Sequence, residues 1–339
     1  TIIDSTSPTF NLPPTLTIHA NTPLGANLEH PDLIDLILAN ANDIADDSLT
    51  VTADIEFIPI GDTNVTFTVT DDSGNSSQSS STLTVTDNSL IITTLDDELD
   101  ADPSGTPGDL SLREAIELAN QNPDFTLIQF NGSLSSTIAM SGLLGALQVT
   151  EPLGVYGLGA DSTVIDAQGN SRVFDIIGDQ IPVVLNSLTI SGGETQGASE
   201  GGAGIRFNSD GKLTLSASNI IDNTTFGTGA NGAGVQMLLW ELSVIDSWFN
   251  SNLTAGDLAG GGGIWSQTDV TIRSSTLSGN STEGTNASGG GLQLDGGSLQ
   301  LINTTISGND TLAGDGAGIH GTEAIIAVNN STIVNNVAS

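Results

Sequence analysis

The sequence predicts an all-β protein whose larger part is a right-handed parallel β-helix. From about Val183 to Ser339, one apolar pattern recurs with a period near 28 residues. Each copy has apolar residues at its first, third and eighth positions and Gly or Asn at its eleventh. A Gly followed by an aliphatic residue recurs at nearly the same period. Apolar residues two apart predict strands with one face inward, and a constant period of about 20 to 50 residues predicts a solenoid or array.

The repeat has a constant core unit joined by connections of variable length. Three short strands per repeat form one turn of a β-helix, in which each apolar side chain stacks on its counterpart about 4.8 Å away. At the last position of the unit we expect a left-handed turn and amide hydrogen bonds along the stack. The six copies begin at Val183, Leu213, Leu242, Val270, Leu299 and Ile326 and end at Gly193, Asn223, Asn252, Asn280, Asn309 and Asn336.

Two rival folds fit the pattern less well. A doubly wound α/β fold needs helices between its strands, and helical segments are nearly absent from the repeats. A β-propeller would repeat at about 40 residues or more, with four strands per blade. The observed period therefore favours the β-helix.

The composition favours an extracellular location. The chain has 339 residues, 40 of them acidic and 5 basic, and its net charge is −35. Nucleic acid and anionic membranes are poor partners for such a surface. The chain has no cysteine, and no run approaches the length of about 18 apolar residues that a membrane span needs. These features are typical of a secreted bacterial surface protein, and the length suits two domains.

Residues 1–88 are predicted to form a small antiparallel β-sandwich. Apolar and polar residues alternate, as in Val65, Phe67 and Val69, and the segment 71–75 has the composition of a hairpin turn. The segments 4–8, 59–67 and 70–75 resemble a hyalin-repeat domain. That resemblance implies an immunoglobulin-like fold that serves in extracellular adhesion or as a spacer, with no active site.

Residues 89–339 are predicted to form the β-helix, with one helix covering the open end of its apolar column. Ser111 and Glu114 have capping-box spacing, and Leu112, Ile116 and Ala119 then share one face. The segment from Ser111 to Ala115 resembles the Cys-Ser-Leu-Arg-Glu-Ala signature that opens β-helices in bacterial surface and secreted proteins. Leu110 stands in place of the Cys. The repeats resemble those of polymorphic outer-membrane proteins, which implies fold and location but no single activity.

An acidic segment before the predicted helix is a candidate calcium site. Carboxylate oxygens are the ligands that Ca²⁺ prefers, although this segment lacks EF-hand spacing. Asp43, Asp46 and Asp47, or Asp71 and Asp72, offer a similar but weaker alternative. The other interpretation is a solvated acidic loop. The predicted ligands are Asp96, Asp97, Asp100 and Asp102.

A file of side chains on one strand of each repeat is a candidate glycan-binding surface. Each member follows a Gly-aliphatic pair and is expected to face outward. An exposed indole among planar polar groups suits stacking and hydrogen bonding to sugars. The alternative is an ordinary outer face with one exposed aromatic. The file comprises Arg206, Gln236, Trp265, Gln293 and His320.

Polysaccharide cleavage is a third hypothesis, and no catalytic residue is assigned to it. A lyase needs a basic residue beside a uronate, and a surface this negative would repel a polyuronate. A hydrolase needs two carboxylates about 5 to 9.5 Å apart, for which Asp295 and Asp315 are the candidates. The basic residues on offer are Arg113, Arg172, Arg206, Lys212 and Arg273.

The sequence ends with an apolar turn that no capping segment follows. Either the chain is a piece of a longer surface protein, or the open end stacks on a second copy and forms head-to-tail filaments. We therefore expect an extracellular structural or adhesive protein whose partner is itself or the rest of a larger protein. Glycan binding is the alternative function.

Overall fold

A computed structural model describes residues 5–27, 31–44, 48–87, 89–100 and 110–339. The chain divides into two compact units. The first contains Thr1–Leu90 and Asp124–Leu127, and the second contains Ile91–Pro123 and Ile128–Ser339.

The first unit is built on a four-stranded sheet in the order β2-β8-β7-β5, with two further two-stranded sheets, β1-β4 and β3-β6. Strands β7 and β8 pair antiparallel on either side of the turn at 71–75, so the predicted hairpin is confirmed. The elements are β1 (Thr9–Phe10), β2 (Thr15–His19), β3 (Gly25–Asn27), α1 (Pro31–Leu38), β4 (Ala41–Asn42), β5 (Leu49–Ala53), β6 (Phe57–Pro59), β7 (Gly61–Asp71) and β8 (Ser76–Thr86).

Two features of this unit differ from the sequence prediction. Strand β2 pairs parallel to β8, so the purely antiparallel arrangement is wrong. Alternation fixes which face of a strand is buried and says nothing about strand direction, and the long connection between β2 and β8 permits the crossover that parallel pairing needs. The immunoglobulin-like fold stays a prediction.

Helix α1 is the second difference, because residues 1–88 are predicted to form a β-sandwich. Pro31 occupies the first helical position, where its missing N–H is no loss. Leu33 and Ile37 lie one turn apart and are fully buried in the core of the unit, beside residues such as Ile58 and Phe67. The helix has only eight residues, so its helical spacing is too short to stand out in the sequence.

The second unit is a parallel β-solenoid of the right-handed type, as predicted. Its elements follow in order along the chain. They are β9 (Leu90–Ile92), α2 (Leu112–Ala119), β10 (Thr126–Phe130), β11 (Ser136–Ala139), β12 (Leu147–Val149), β13 (Leu153–Tyr156), β14 (Thr163–Asp166), β15 (Phe174–Gly178), β16 (Val183–Asn186), β17 (Thr189–Ser191), β18 (Glu194–Thr195), β19 (Ile205–Ser209), β20 (Leu213–Ser216), β21 (Asn219–Ile221), β22 (Thr224–Thr225), β23 (Val235–Met237), β24 (Leu242–Ile245), β25 (Trp248–Asn250), β26 (Leu253–Thr254), β27 (Ile264–Ser266), β28 (Val270–Arg273), β29 (Thr276–Ser278), β30 (Ser281–Thr282), β31 (Leu292–Asp295), β32 (Ser298–Ile302), β33 (Thr305–Ser307), β34 (Asp310–Thr311), β35 (Ile319–Thr322), β36 (Ile325–Asn329), β37 (Thr332–Val334) and β38 (Val337–Ala338).

Each turn of the solenoid contributes one strand to each of several parallel sheets. One sheet has seven strands in the order β12-β15-β19-β23-β27-β31-β35, and others run β11 to β37, β18 to β38 and β36 to β9. Leu215 pairs with Val244, which pairs with Ile272, and all three are fully buried. The apolar columns predicted from the period are therefore the dry core of this unit.

A ladder of buried asparagines runs along the stack at the last position of each repeat. Asn223, Asn252, Asn280 and Asn309 are each 0% exposed. The side-chain amide of Asn252 donates to Oδ1 of Asn280 at 2.8 Å, and the amide of Asn223 donates to Oδ1 of Asn252 at 2.9 Å. The predicted amide bonding is confirmed. The left-handed backbone conformation lies one residue earlier than predicted, at positions such as Asp222 and Ser251.

Helix α2 has the capping box that the sequence predicts. The Ser111 side chain accepts from the backbone N–H of Glu114, and the Glu114 carboxylate accepts from the backbone N–H of Ser111 at 2.9 Å. The predicted apolar face is buried, including Leu112, Ile116 and Ala119. This face lies against β12, the first strand of the seven-stranded sheet.

We expect Asn252→Ala to destabilise the solenoid by roughly 2–5 kcal/mol, because each buried polar group left without a partner costs about 1–3 kcal/mol. The substitution removes the side-chain partners of the Asn223 backbone N–H and of the Ile220 carbonyl, and one of the three acceptors of the Asn223 side-chain amide. Urea unfolding measures the change. Asn208→Ala is the matched control, since no side-chain hydrogen bond of Asn208 occurs among the described residues. Equal stability of the two variants would contradict the role of the ladder.

Tyr156 is partly buried and gives a pH-dependent signal from the solenoid, because it is the chain's only tyrosine. Burial raises the pKa of Tyr156 from 10.0 to about 12. A raised folded pKa means that the neutral phenol adds stability below pH 10, and that this stability is lost as the pH rises towards 12. We expect the phenolate absorbance of the folded protein to appear with a midpoint near 12, and near 10 in denaturant. Tyr156→Phe should remove the signal. A folded midpoint near 10 would contradict the burial.

Candidate functional site

The predicted file of side chains is continuous in the structure and lies on the seven-stranded sheet. Arg206 pairs in register with Gln236, Gln236 with Trp265, Trp265 with Gln293, and Gln293 with His320. Below Arg206 the file continues to Asp175. The flanking residues Ile205 and Phe207 are fully buried, so the file occupies the other face of the sheet.

The predicted exposure of the file is wrong for its central members. Gln236 and Trp265 are each only 5% exposed. The glycine-rich segment that precedes each strand folds back against the file. A Cβ atom at Gly201 would lie 2.5 Å from Nε2 of Gln236, and one at Gly261 would lie 2.8 Å from Cβ of Trp265. The glycines therefore permit close approach of the backbone to both side chains, and the Trp265 indole is too buried for a sugar ring to stack on it.

Three polar side chains of the file, Arg206, Trp265 and Gln293, are bonded to carboxylates, whereas Oε1 of Gln293 is buried without a hydrogen-bond partner among the described residues. Arg206 donates to both carboxylate oxygens of Asp175, at 2.6 and 2.7 Å. The Trp265 indole N–H donates to Oδ2 of Asp295 at 2.8 Å, and the Gln293 amide donates to Oδ1 at 2.9 Å. Asp295, a candidate hydrolase carboxylate, is thus engaged in holding the file together. Asp315, the second candidate, is exposed.

The basic residues considered for lyase chemistry are mostly committed to internal contacts. Arg172 donates to the carbonyls of Gly202 and Gly201 at 2.8 and 2.7 Å. Burial lowers the pKa of Arg172, and the carboxylate of Asp175 works against that shift. Lys212 lies 3.5 Å from a carboxylate oxygen of Glu241. Arg273 is exposed, and no ion pair of its side chain occurs within the described ranges.

The acidic segment predicted to bind calcium is tied to the helix cap. Asp97 forms a bidentate pair with Arg113, at 2.7 and 3.0 Å, and its side chain is 3% exposed. Its Oδ2 also accepts from the backbone N–H of Ser141 at 2.6 Å. Asp96 is exposed, and the backbone N–H of Asp100 donates to Glu114. In the described part of the chain, no three His, Asp or Glu residues form a group that could hold a metal ion. Asp102 lies outside the described residues, as do Asp46 and Asp47, and calcium binding stays a prediction.

Sequence reasoning missed a groove on the outside of the solenoid. The groove has a volume of about 410 Å³ and is lined by Trp240, Glu241, Thr268 and Asp269. Trp240 lies in the turn between β23 and β24 and is 61% exposed. The signal in the sequence is the apolar run from Leu238 to Trp240 directly before a strand, where turn residues are expected.

The last turn of the described solenoid exposes apolar side chains. Ile326, Val328 and Ile333 are 42%, 47% and 48% exposed. Their counterparts one turn earlier, Leu299, Leu301 and Ile306, are each 0% exposed. The difference arises because no further turn stacks on the last one.

Comparison of the chain with protein-family models, with curated proteins and with solved structures finds no match. Three resemblances therefore stay predictions. They are to a hyalin-repeat domain, to the Cys-Ser-Leu-Arg-Glu-Ala signature and to polymorphic outer-membrane proteins. Among the residues that the structure describes, no helix has the length and apolar character needed to cross a membrane.

Proposed function

We propose that the chain is an extracellular structural or adhesive surface protein of a bacterium, in which the solenoid is a stiff spacer. This proposal rests on one observation, which is that polar side chains of the file are hydrogen-bonded to carboxylates of the chain itself. The guanidinium of Arg206 is held by Asp175, and Asp295 holds both Trp265 and Gln293. Side chains bonded in this way orient neighbouring turns and have few atoms left for a substrate.

Charge supports the extracellular part of the proposal and disfavours cleavage of acidic polysaccharides. A net charge of −35 keeps a secreted protein soluble and repels polyuronates. Lyase chemistry needs a group that takes a proton next to the uronate and a cation that neutralises the uronate carboxylate. The buried arginines Arg113 and Arg172 are occupied by carboxylate or carbonyl oxygens. We therefore rank polysaccharide cleavage below the structural role.

Labelling of intact cells tests the surface location. An antibody raised against the solenoid should label intact cells of the producing bacterium, and mild external proteolysis should remove the label. Antibody against a cytoplasmic protein is the control for cell integrity. Label that appears only after permeabilisation would contradict the proposal.

A second candidate is self-assembly through the last turn, with a second copy of the chain as partner. The exposed Ile326, Val328 and Ile333 support it, because a stacked turn would bury them as the preceding turn is buried. Apolar burial contributes about 25 cal/mol per Å², and the unpaired strand edges would gain backbone hydrogen bonds. A further turn of a longer polypeptide would achieve the same burial.

Sedimentation measurements over a range of protein concentrations distinguish these partners. Head-to-tail assembly predicts a mass that rises with concentration, and Val328→Glu should hold the protein monomeric by placing a charge on the stacking face. Gln300→Glu, which adds the same charge at an exposed position one turn earlier, is the matched control. A constant monomer mass for the wild-type chain would remove self-assembly.

A further inference from the structure

Trp240 is the most exposed of the chain's three tryptophans. It is 61% exposed, whereas Trp248 is 41% and Trp265 is 5% exposed. Its groove, with Glu241, Thr268 and Asp269, has a volume of about 410 Å³. Ligand pockets have volumes of about 300–1,000 Å³ and combine apolar walls with a few polar groups. The groove therefore has the size of a small-ligand site, with one aromatic and three polar lining residues.

The backbone of Trp240 has a conformation that suits glycine. Its φ is +60°, in the left-handed region that bulky residues rarely adopt. Leu242 pairs with Val270, and Val270 pairs with Leu299, so these residues are equivalent in successive turns of the solenoid. Trp240 lies two residues before Leu242. The residue two before Leu299 is Gly297, with φ of +65°. The indole is 61% exposed, so burial of the side chain does not offset this backbone conformation.

The polar groups of the groove include both donors and acceptors. Oδ1 of Asp269 accepts from the backbone N–H and the hydroxyl of Ser298, both at 2.8 Å, which fixes the carboxylate. Lys212 lies 3.5 Å from Oε1 of Glu241 and places an ammonium beside the groove. Within the described ranges, the indole N–H of Trp240 and Oδ2 of Asp269 have no hydrogen-bond partner.

We propose that this groove binds a neutral, pyranose-based oligosaccharide. A sugar ring offers an apolar face that can stack on the indole of Trp240. Its hydroxyls both donate and accept, which matches the carboxylates of Glu241 and Asp269 and the nearby ammonium of Lys212. The two carboxylates disfavour anionic sugars, and the ammonium of Lys212 offsets one of the two negative charges. The site is distinct from the file that contains Trp265, and the inference adds to the structural role without depending on it.

Calorimetric titration of the whole chain tests the site. The probes are neutral oligosaccharides of glucose, mannose, galactose and xylose at millimolar concentration, with polygalacturonate and choline as charged comparisons. We expect saturable binding of at least one neutral probe and of neither charged one. Trp240→Gly should weaken that binding by about tenfold or more, while folding is preserved because glycine suits the backbone at this position. Asp269→Asn should weaken it less.

Trp248→Ala is the matched control. Trp248 is also exposed but lies on β25, away from the groove lining, so this variant should bind as the wild-type chain does. Three outcomes would overturn the inference: no neutral probe binds, Trp240→Gly binds unchanged, or choline or polygalacturonate binds in preference. Each of these would leave the surface location untouched, since cell labelling reports on that separately.

Discussion

Register between successive turns is the constraint on which the solenoid depends. Each turn is too small to bury its own apolar residues, so stability comes from stacking on neighbours. The buried ladder from Asn223 to Asn309 enforces this stacking, because an amide bonds to the next turn only when the side chains lie directly over one another. A slip of one residue would turn every apolar side chain to the opposite face. The variable connections between core units are tolerated because they lie outside the stacked strands.

The same stacking determines where function can reside. Residues on the strands have counterparts one turn away, and polar ones bond to those counterparts, as Arg206 does with Asp175. The connections between strands also carry side chains that are exposed to solvent, such as Trp240. Trp240 and Asp269 lie beside strands, in successive turns, and together form a groove. Recognition by this fold is therefore expected from side chains in the turns, with the strands providing a rigid spacing.

Much of the fold could be predicted because period and alternation are direct consequences of stacking. Residue spacing predicts the apolar columns whose first copy begins at Val183. It also predicts the asparagine ladder and the capping box of α2. Helix α1 was missed because its eight residues span little more than two turns, too few for a helical period to stand out. The direction of β2 cannot be read from alternation, which is the same for parallel and antiparallel strands. The burial of Trp265 was missed because alternation along a strand shows only which face of the sheet a side chain occupies. It does not show that a glycine-rich segment packs against that face. Trp240 lies in a connection between strands, where strand alternation gives no prediction of exposure.

Distances between spin labels on successive turns test the stacking most directly, and the absence of native cysteine makes the labelling specific. Thr214, Thr271, Gln300 and Ala327 lie in one register column on the outer face of the solenoid. With one label at Thr214→Cys and the second at Thr271→Cys, Gln300→Cys or Ala327→Cys, the separation should rise by about 4.8 Å per turn. Separations that do not increase in equal steps, or that are broadly distributed, would contradict the in-register stack.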